Sequence, residues 1–501
     1  MPDDCKIGFR SRGICVIIPT YNNAGTIVDV VTRTMAYCSD VFVILDGCTD
    51  DTLSKLNALD ERPSLIIIEK NSGKGNALKI GFRRAIEAGF SFAITLDADG
   101  QHYPEDLPLF LEANRKNPGS LIVGERSGLN LAERSKGSKF ANEFSNFWFF
   151  LQTLIPLKDT QTGYRLYPIH RLPFLNCLTS RYEAELELLV FSAWNGVRIV
   201  SQDVRVFYPS REDRVSHFRP VTDFTRITLL NIVLCILAVI YGLPRTILRF
   251  VLRIVKSVFI LLFYILVMAF VVTPGVFLYL KIGRKSEKKK ENLHRFICWF
   301  ARLGTSFFGL FGNTFSCTGR TEEDFSSPAI ITCNHQSHLD LLPMLALTPK
   351  LVILTADWVW YNPLYGFIIR EADYLPASKG LEVIVPRLQE LVKKGYSIAV
   401  YPESTRSLDC SIGRFHQGAF YLADLLDIDV LPVVLYGAGI ALPKHGRILR
   451  RWPIRLEIDK RLSHGDLRQY GETYKSQASY LRRYYISRYT EIADQVEKTL
   501  K

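Results

Sequence analysis

The chain has 501 residues, 48% of them hydrophobic and 22% charged, and its 62 Lys+Arg against 50 Asp+Glu give a formal charge of +12. This composition excludes a disordered, collagen-like or heptad-repeat chain, and at about 150 residues per domain the length predicts about three units. Ten cysteines lie scattered without a CxxC pair, and the opening MPDDCKIGFR lacks the apolar stretch of a secretory signal, so a reducing, cytoplasmic setting is expected. With no zinc-finger spacing or RNA-binding motif, the basic surplus points to an anionic membrane face and not to nucleic acid.

Over the first 225 or so residues, short β-rich apolar runs alternate with helix-like segments. Strands are predicted at Ile14 to Pro19, Val41 to Leu45, Leu65 to Ile68, Phe92 to Leu96 and Leu121 to Val123. The rhythm predicts a mostly parallel sheet whose ligand sits beyond the carboxyl ends of its strands. Composition then shifts: Ile227 to Leu243 carries no charged side chain, and Ser257 to Leu280 is a second uncharged run. The second is long enough to cross about 30 Å of hydrocarbon, and Thr273-Pro274-Gly275 is a point where it would kink. Basic clusters follow each run, Arg245 to Lys256 and Lys281 to Lys290. Two readings stand: a hairpin of two spans, or one or two interfacial or re-entrant segments. A second α/β rhythm begins near residue 325, with strands predicted at Ala329 to Thr332, Leu351 to Leu354, Ser397 to Tyr401 and Val430 to Leu435, then a helical tail from about Tyr474.

Leu96-Asp97-Ala98-Asp99-Gly100-Gln101 puts two carboxylates and an amide directly after a strand. Such oxygen donors suit Mg²⁺ or Mn²⁺ holding a diphosphate, whereas a calcium loop would need Gly at its sixth and Glu at its twelfth position. A plain surface loop is the alternative. Three other strands also end in polar, small-residue loops: Pro19-Thr20-Tyr21-Asn22-Asn23, Asp46-Gly47-Cys48-Thr49-Asp50 and Asn71-Ser72-Gly73-Lys74-Gly75. Together these segments resemble the family 2 glycosyltransferases of GT-A fold, especially the dolichyl-phosphate mannose synthase branch, over about residues 12 to 230. The resemblance implies that Tyr21 and Asp46 contact the nucleotide, with Pro19 and Lys74 in the loops that cradle it. It implies that Asp97, Asp99 and Gln101 form the metal and diphosphate site, and that Arg126, Arg134 and Ser138 engage an acceptor phosphate. The segments Asp159 to Arg165 and Arg214 to Arg219 would close over the donor, and inversion would proceed by direct displacement. Asn23 stands where the family has Glu, and Leu45-Asp46 where it has Asp-Asp. Among Glu183, Glu185 and Glu187, periodicity puts the first and last on one helix face, where one could serve as base or where all three could be a solvated helix start.

In the second half, Asn334-His335-Gln336-Ser337-His338-Leu339-Asp340 follows a strand. Its spacing allows Asp340 to fix one tautomer of His335, leaving the other nitrogen to deprotonate an alcohol; a metal pair of His335 and His338, or a buried structural histidine, are the alternatives. Tyr401-Pro402-Glu403-Ser404-Thr405-Arg406-Ser407, Arg414 to Ala419 and Leu431 to Gly437 follow in order. This set resembles the lysophospholipid acyltransferase family, over roughly residues 290 to 465. The resemblance implies His335 as general base, Asp340 as its orienter, Glu403 and Arg406 as head-group contacts, and an acyl chain from coenzyme A or acyl carrier protein, without a covalent acyl-enzyme. Lys379 is the nearest basic residue where the family's second motif has Arg, and Ser404 stands in place of Gly, which points away from glycerol phosphate as acceptor.

The expected architecture is α/β throughout: a GT-A nucleotide-sugar-binding domain at residues 1–225, a membrane-associated linker at 226–290 and an α/β acyltransferase domain at 291–501. The expected function is a bifunctional membrane-associated transferase on the cytoplasmic face of a membrane, the bacterial inner membrane by preference. It would move a sugar to a lipid-linked acceptor and an acyl chain to a lipid or glycolipid hydroxyl. A single-activity enzyme whose other half only anchors it is the alternative.

Overall fold

The computed structural model describes residues 2–126, 136–172, 179–207, 220–282, 286–319 and 322–499. The chain divides into two compact units, residues 1–250 with 497–501, and residues 251–496. In the first unit, strands β1 (Ile14–Thr20), β2 (Val41–Asp46), β3 (Ser64–Ile68), β4 (Phe92–Thr95), β5 (Leu121–Arg126), β6 (Arg165–Tyr167) and β7 (Ile199–Val204) form one sheet in the order β3-β2-β1-β4-β6-β5-β7. All neighbours pair parallel except β6, which runs antiparallel to β4 and β5. The run Ile14–Thr20 is apolar almost throughout because both faces are covered: Cys15 and Ile17 enter one hydrophobic cluster, Ile14, Val16 and Ile18 the other. Between β1 and β4 the strand order reverses, and the crevice there is where an open α/β sheet takes its ligand.

The second unit has its own sheet, in the order β11-β10-β12-β9-β13-β14-β8, from β8 (Phe315–Thr318), β9 (Ala329–Cys333), β10 (Leu351–Thr355), β11 (Leu375–Pro376), β12 (Ser397–Val400), β13 (Asp429–Tyr436) and β14 (Ile454–Ile458). Only the β13–β14 pairing is antiparallel among these. Helices Gly418–Leu426 and Tyr474–Thr499 cover one face over Ile330, Ile398, Val430 and Val434.

Residues Thr222–Lys281 form one helix of 60 residues, long and apolar enough to cross a membrane. The two-span hairpin is thereby replaced, since no turn separates the two apolar runs. The stretch Leu243–Val267 lacks glycine, and its one proline stands at its second position. Pro244 and Pro274 lack the amide proton and crowd the carbonyl four residues back. The helix absorbs each with a π-turn, at Ala238–Gly242 and Met268–Val272, and continues. Arg245, Arg249, Arg253 and Lys256 fall on one face of it at four-, four- and three-residue spacing. Large apolar side chains such as Val239 (71% exposed), Ile240 (71%) and Phe270 (75%) lie open, as on a surface that meets lipid or protein.

Tyr485 ties the tail helix to the second sheet: its buried hydroxyl donates to the Thr332 carbonyl at 2.8 Å and accepts from the Val433 amide at 3.1 Å. Tyr485→Phe strands both partners and is expected to cost about 1–3 kcal/mol. A urea titration that shows an unchanged midpoint would remove this strut from the account.

Candidate active sites

In the first unit the chemistry collects at the carboxyl ends of β1 to β4. Pro19 is buried within β1 opposite Ile44, and Tyr21 follows it half-buried. The first two loops are stitched together: Asn22 Oδ1 accepts from Thr49 N at 2.8 Å, and Asp50 Oδ2 from Ala24 N at 3.1 Å. Asp46, buried at the end of β2, accepts from the Ser72 amide (2.7 Å), the Ser72 hydroxyl (2.8 Å) and the Gly73 amide (2.8 Å), so it fixes the loop that leads to Lys74. Gly73, at φ +97°, and Gly75 let that helix start come close to residues 180–184, where a Cβ on Gly75 would stand 2.3 Å from the Ala184 Cβ.

That close approach brings Lys74 Nζ to 2.7 Å from Asp97 Oδ1 and 2.9 Å from Glu185 Oε2. Burial works against the charge on Lys74, but the two carboxylates outweigh it and its pKa is raised. For Asp97, burial opposes ionisation, Lys74 overrides it, and its pKa lies below the ordinary value. Gly163 backs Asp97 so closely that a Cβ there would meet Asp97 Oδ2 at 2.5 Å. Asp99 Oδ1 accepts from the Gln101 amide at 3.0 Å, which turns the loop back under the site. Among the described residues no group of three or more His, Cys, Asp or Glu is arranged to hold a metal by itself. The donor chemistry of Asp97, Asp99 and Gln101 nonetheless fits a hard cation that draws its remaining oxygens from a diphosphate.

The acidic helix start is not solvated: Glu183, Glu185 and Glu187 are 7%, 7% and 2% exposed. Glu187 accepts from Thr179 N at 3.0 Å, and Glu185, outside the pair that helical spacing singles out, is the one that reaches the site. Arg165, fully buried, donates to the Thr160 carbonyl (2.7 Å) and the Glu185 carbonyl (2.8 Å), clamping the Asp159–Arg165 segment to that helix. Its place at the end of the polar segment Asp159–Arg165, where β6 begins, was the sequence signal for it. Arg126 is held as a fork on buried Asp159, with Nη2 at 2.8 Å from Oδ1. Arg134 and the segment Arg214 to Arg219 lie outside the described residues, as does the side chain of Ser138 in helix Lys136–Thr153.

In the second unit, Asn334 follows β9 and bonds Leu435 of β13 through both amide atoms, each at 2.8 Å. His335 Nδ1 lies 2.9 Å from Asp340 Oδ2, and that same oxygen accepts from the Gln336 (2.6 Å) and Ser337 (2.8 Å) amides. Asp340 is fully buried and closes a capping box with Ser337 on the turn His338–Asp340. With Nδ1 occupied, Nε2 is the nitrogen left to meet a substrate, and the Tyr401 ring supports the imidazole at 4.3 Å between centroids. His338 does not pair with His335 on a common ligand set; its ring meets Trp358 edge to face at 5.7 Å.

Glu403, expected at the head group, accepts from the backbone with both oxygens, Oε1 from His335 N (2.9 Å) and Oε2 from Gly413 N (2.6 Å). Burial raises its pKa. Ser404 adopts φ +56°, the left-handed region that glycine occupies without strain. Lys379 lies over the Trp360 ring at 4.9 Å. Arg406 donates to the Lys444 carbonyl at 3.2 Å.

Residues 15–167 match the glycosyl transferase family 2 model and residues 314–436 the Acyltransferase model. A chloroplastic 1-acyl-sn-glycerol-3-phosphate acyltransferase of Arabidopsis thaliana is 31% identical over 28% of this chain and 40% of its own length, so the chain spans under half of that relative. The UDP-N-acetylglucosamine–dolichyl-phosphate N-acetylglucosaminyltransferase of Methanococcus voltae is 28% identical over 39% of this chain and 86% of its own. The undecaprenyl-phosphate mannosyltransferase of Micrococcus luteus is 29% identical over 40% and 84%. Among solved structures, the 1-acyl-sn-glycerophosphate acyltransferase PlsC of Thermotoga maritima matches with a TM-score of 0.41 and 19% identity, covering 49% of this chain and 98% of its own. One polypeptide thus carries a stretch that matches the glycosyl transferase family 2 model and, after it, a stretch that matches the Acyltransferase model.

Proposed function

We propose that the protein transfers a sugar from a nucleotide-sugar to a lipid-linked acceptor, and an acyl chain from acyl-CoA or acyl carrier protein to a hydroxyl of a lipid, preferably the glycolipid it has just made. The observation that carries this reading is that one chain holds both constellations assembled: Asp97 and Asp99 at the end of β4 with Lys74 in place, and His335 on Asp340 at 2.9 Å. The domain limits that go with it are 1–225, 226–290 and 291–501.

At the first site the nucleotide lies over the loops of Tyr21 and Asp46, and Lys74 keeps the Asp97 carboxylate aimed at the diphosphate. Asp97, Asp99 and Gln101 would hold Mg²⁺ or Mn²⁺, which supplies charge to the departing nucleoside diphosphate. The acceptor oxygen attacks the anomeric carbon from the opposite side, so the configuration inverts. A groove of about 720 Å³ supports a lipid-linked acceptor, with Phe147, Phe150, Pro156 and Leu157 in its wall and Lys139 and Lys158 among its lining residues. Lys158 adjoins Asp159, the partner of Arg126.

At the second site Nε2 of His335 takes the proton of the acceptor hydroxyl as its oxygen attacks the thioester carbonyl. Asp340 holds the tautomer and stabilises the imidazolium that forms. The C–S bond breaks as the ester forms, the imidazolium returns its proton to the departing thiolate, and no acyl-enzyme is required because the thioester is already activated. Both donors are cytoplasmic metabolites, which places the enzyme on the cytoplasmic face of a membrane, with the exposed apolar helix against lipid.

Separate substitutions test the two halves. His335→Ala is expected to lower acyl transfer by about 10²–10⁴-fold, the usual contribution of a general base, and to leave a glycolipid lighter by one acyl group. Asp99→Ala is expected to remove that glycolipid altogether. Mass spectrometry of lipids from cells carrying each form reads both outcomes, and a sugar lipid unchanged in both would refute the shared product. Gly163→Ala is a subtler probe. The added methyl displaces Asp97, and glycosyl transfer is expected to fall by about two orders of magnitude while acyl transfer holds; equal rates for variant and parent would mean that Asp97 needs no such support.

A further inference from the structure

The acid-rich start of helix Glu183–Trp194 holds a group that the fold leaves unused. Buried carboxylates elsewhere in the first unit have both oxygens engaged. Asp46 takes Ser72 on one oxygen and Gly73 on the other, Arg126 forks onto both oxygens of Asp159, and Arg205 reaches both oxygens of Asp106 through its amide and its guanidinium. Two buried carboxylate oxygens of this unit have no protein partner among the described residues, Glu183 Oε2 and Glu185 Oε1. Of the two residues, Glu185 is the one tied to the site, by its other oxygen, 2.9 Å from Lys74 Nζ.

Glu185 is also fixed in place. Its carbonyl accepts from buried Arg165 at 2.8 Å, and Gly75 lets the helix start of Lys74 close onto Ala184, the residue before it. Lys74 bridges it to Asp97, at 2.7 Å from Oδ1, so the two carboxylates lie no more than two hydrogen-bond lengths apart. An ionised carboxylate accepts hydrogen bonds and donates none, and a buried acceptor without a donor is costly. The free oxygen is therefore set for a ligand that brings a donor close to Asp97.

The glycosyl-transfer reading above, on which this inference rests, says which moieties meet there. The diphosphate and any acceptor phosphate carry negative charge, which a carboxylate repels. The base and ribose lie over the loops of Tyr21 and Asp46. The sugar remains, joined to the diphosphate that Asp97 faces and rich in hydroxyl donors. We propose that Glu185 Oε1 accepts a hydrogen bond from a hydroxyl of the transferred sugar, and so selects among nucleotide-sugars. A sugar that lacks this hydroxyl, or directs it elsewhere, leaves a buried acceptor unpaired, which discriminates more strongly than a small misfit of shape.

The test is calorimetric titration of the intact protein in detergent with Mg²⁺ present, with UDP, GDP, UDP-N-acetylglucosamine, UDP-glucose and GDP-mannose as probes. Glu185→Gln is expected to weaken the nucleotide-sugar that the parent binds by roughly tenfold or more, the loss of one charge-assisted hydrogen bond, and to leave the matching nucleoside diphosphate within about threefold. Among monodeoxy analogues of that sugar, one is expected to show the same loss on the parent and no further loss on the variant. The diphosphate reads the same loops, so its retained affinity also shows that the variant is folded. Equal weakening of sugar and diphosphate overturns the proposal, since Glu185 would then act through Lys74 on the diphosphate alone. Unchanged affinity for both overturns it as well, and a collapse of turnover at unchanged affinity would make Glu185 the base instead. A parent that binds the diphosphates and none of the sugars overturns the contact by itself, whereas a parent that binds no probe removes the glycosyl-transfer reading with it.

Discussion

A carboxylate set at the end of a strand, in a half-dry loop, needs donors around it to offset its lost hydration, and that requirement shapes both sites. Asp46 takes two backbone amides and a hydroxyl from the next loop, Asp97 takes Lys74, and Asp340 takes two amides and an imidazole on one oxygen. Glu403 takes one amide from each of two loops. Every one of these contacts joins its own loop to another or closes a turn. The anions therefore locate the loops as much as the loops locate the anions, and the sheet supplies a rigid edge on which the arrangement can be repeated.

Much of this was legible in the sequence, because strands covered on both faces read as unbroken apolar runs. Ile14–Thr20 and Asp429–Tyr436 are of that kind, and the motif residues follow such runs directly. The strands that escaped are those without that signal. Arg165–Tyr167 has three residues, too few for any period, and Ile199–Val204 carries polar side chains among its apolar ones. Of the two readings of the central stretch, the two-span hairpin failed for a different reason. Hydropathy marks apolar runs, but whether the chain turns between them depends on backbone breakers, and proline alone yields a π-turn when its neighbours favour helix.

The sites show the same division. Motif order singled out Asp97, Asp99, His335 and Asp340 as candidates, since residue type and position after a strand are written in the chain. What a side chain touches is not written there. Helical spacing grouped Glu183 with Glu187, yet Glu185 meets Lys74, because spacing defines faces and only packing decides which one looks at the sheet. Likewise Glu403 has the residue type of a ligand contact, and its burial turns it toward two backbone amides.

The cations divide by the same electrostatic rule. A half-buried cation with an acid beside it has already regained what desolvation cost, and it serves to hold shape, as Lys74 does between Asp97 and Glu185 and Arg126 does on Asp159. A ligand that displaced either would have to compensate a carboxylate left behind. A half-buried cation without an acid is in the opposite position, since every anion that approaches it recovers free energy without breaking a pair. Among the described residues Arg406 and Lys444 are of this second kind, and they stand within two residues of the hydrogen bonds that fix the loop of His335. Shape at the first site is thus maintained by charges that are already satisfied, whereas the second site keeps two that are not.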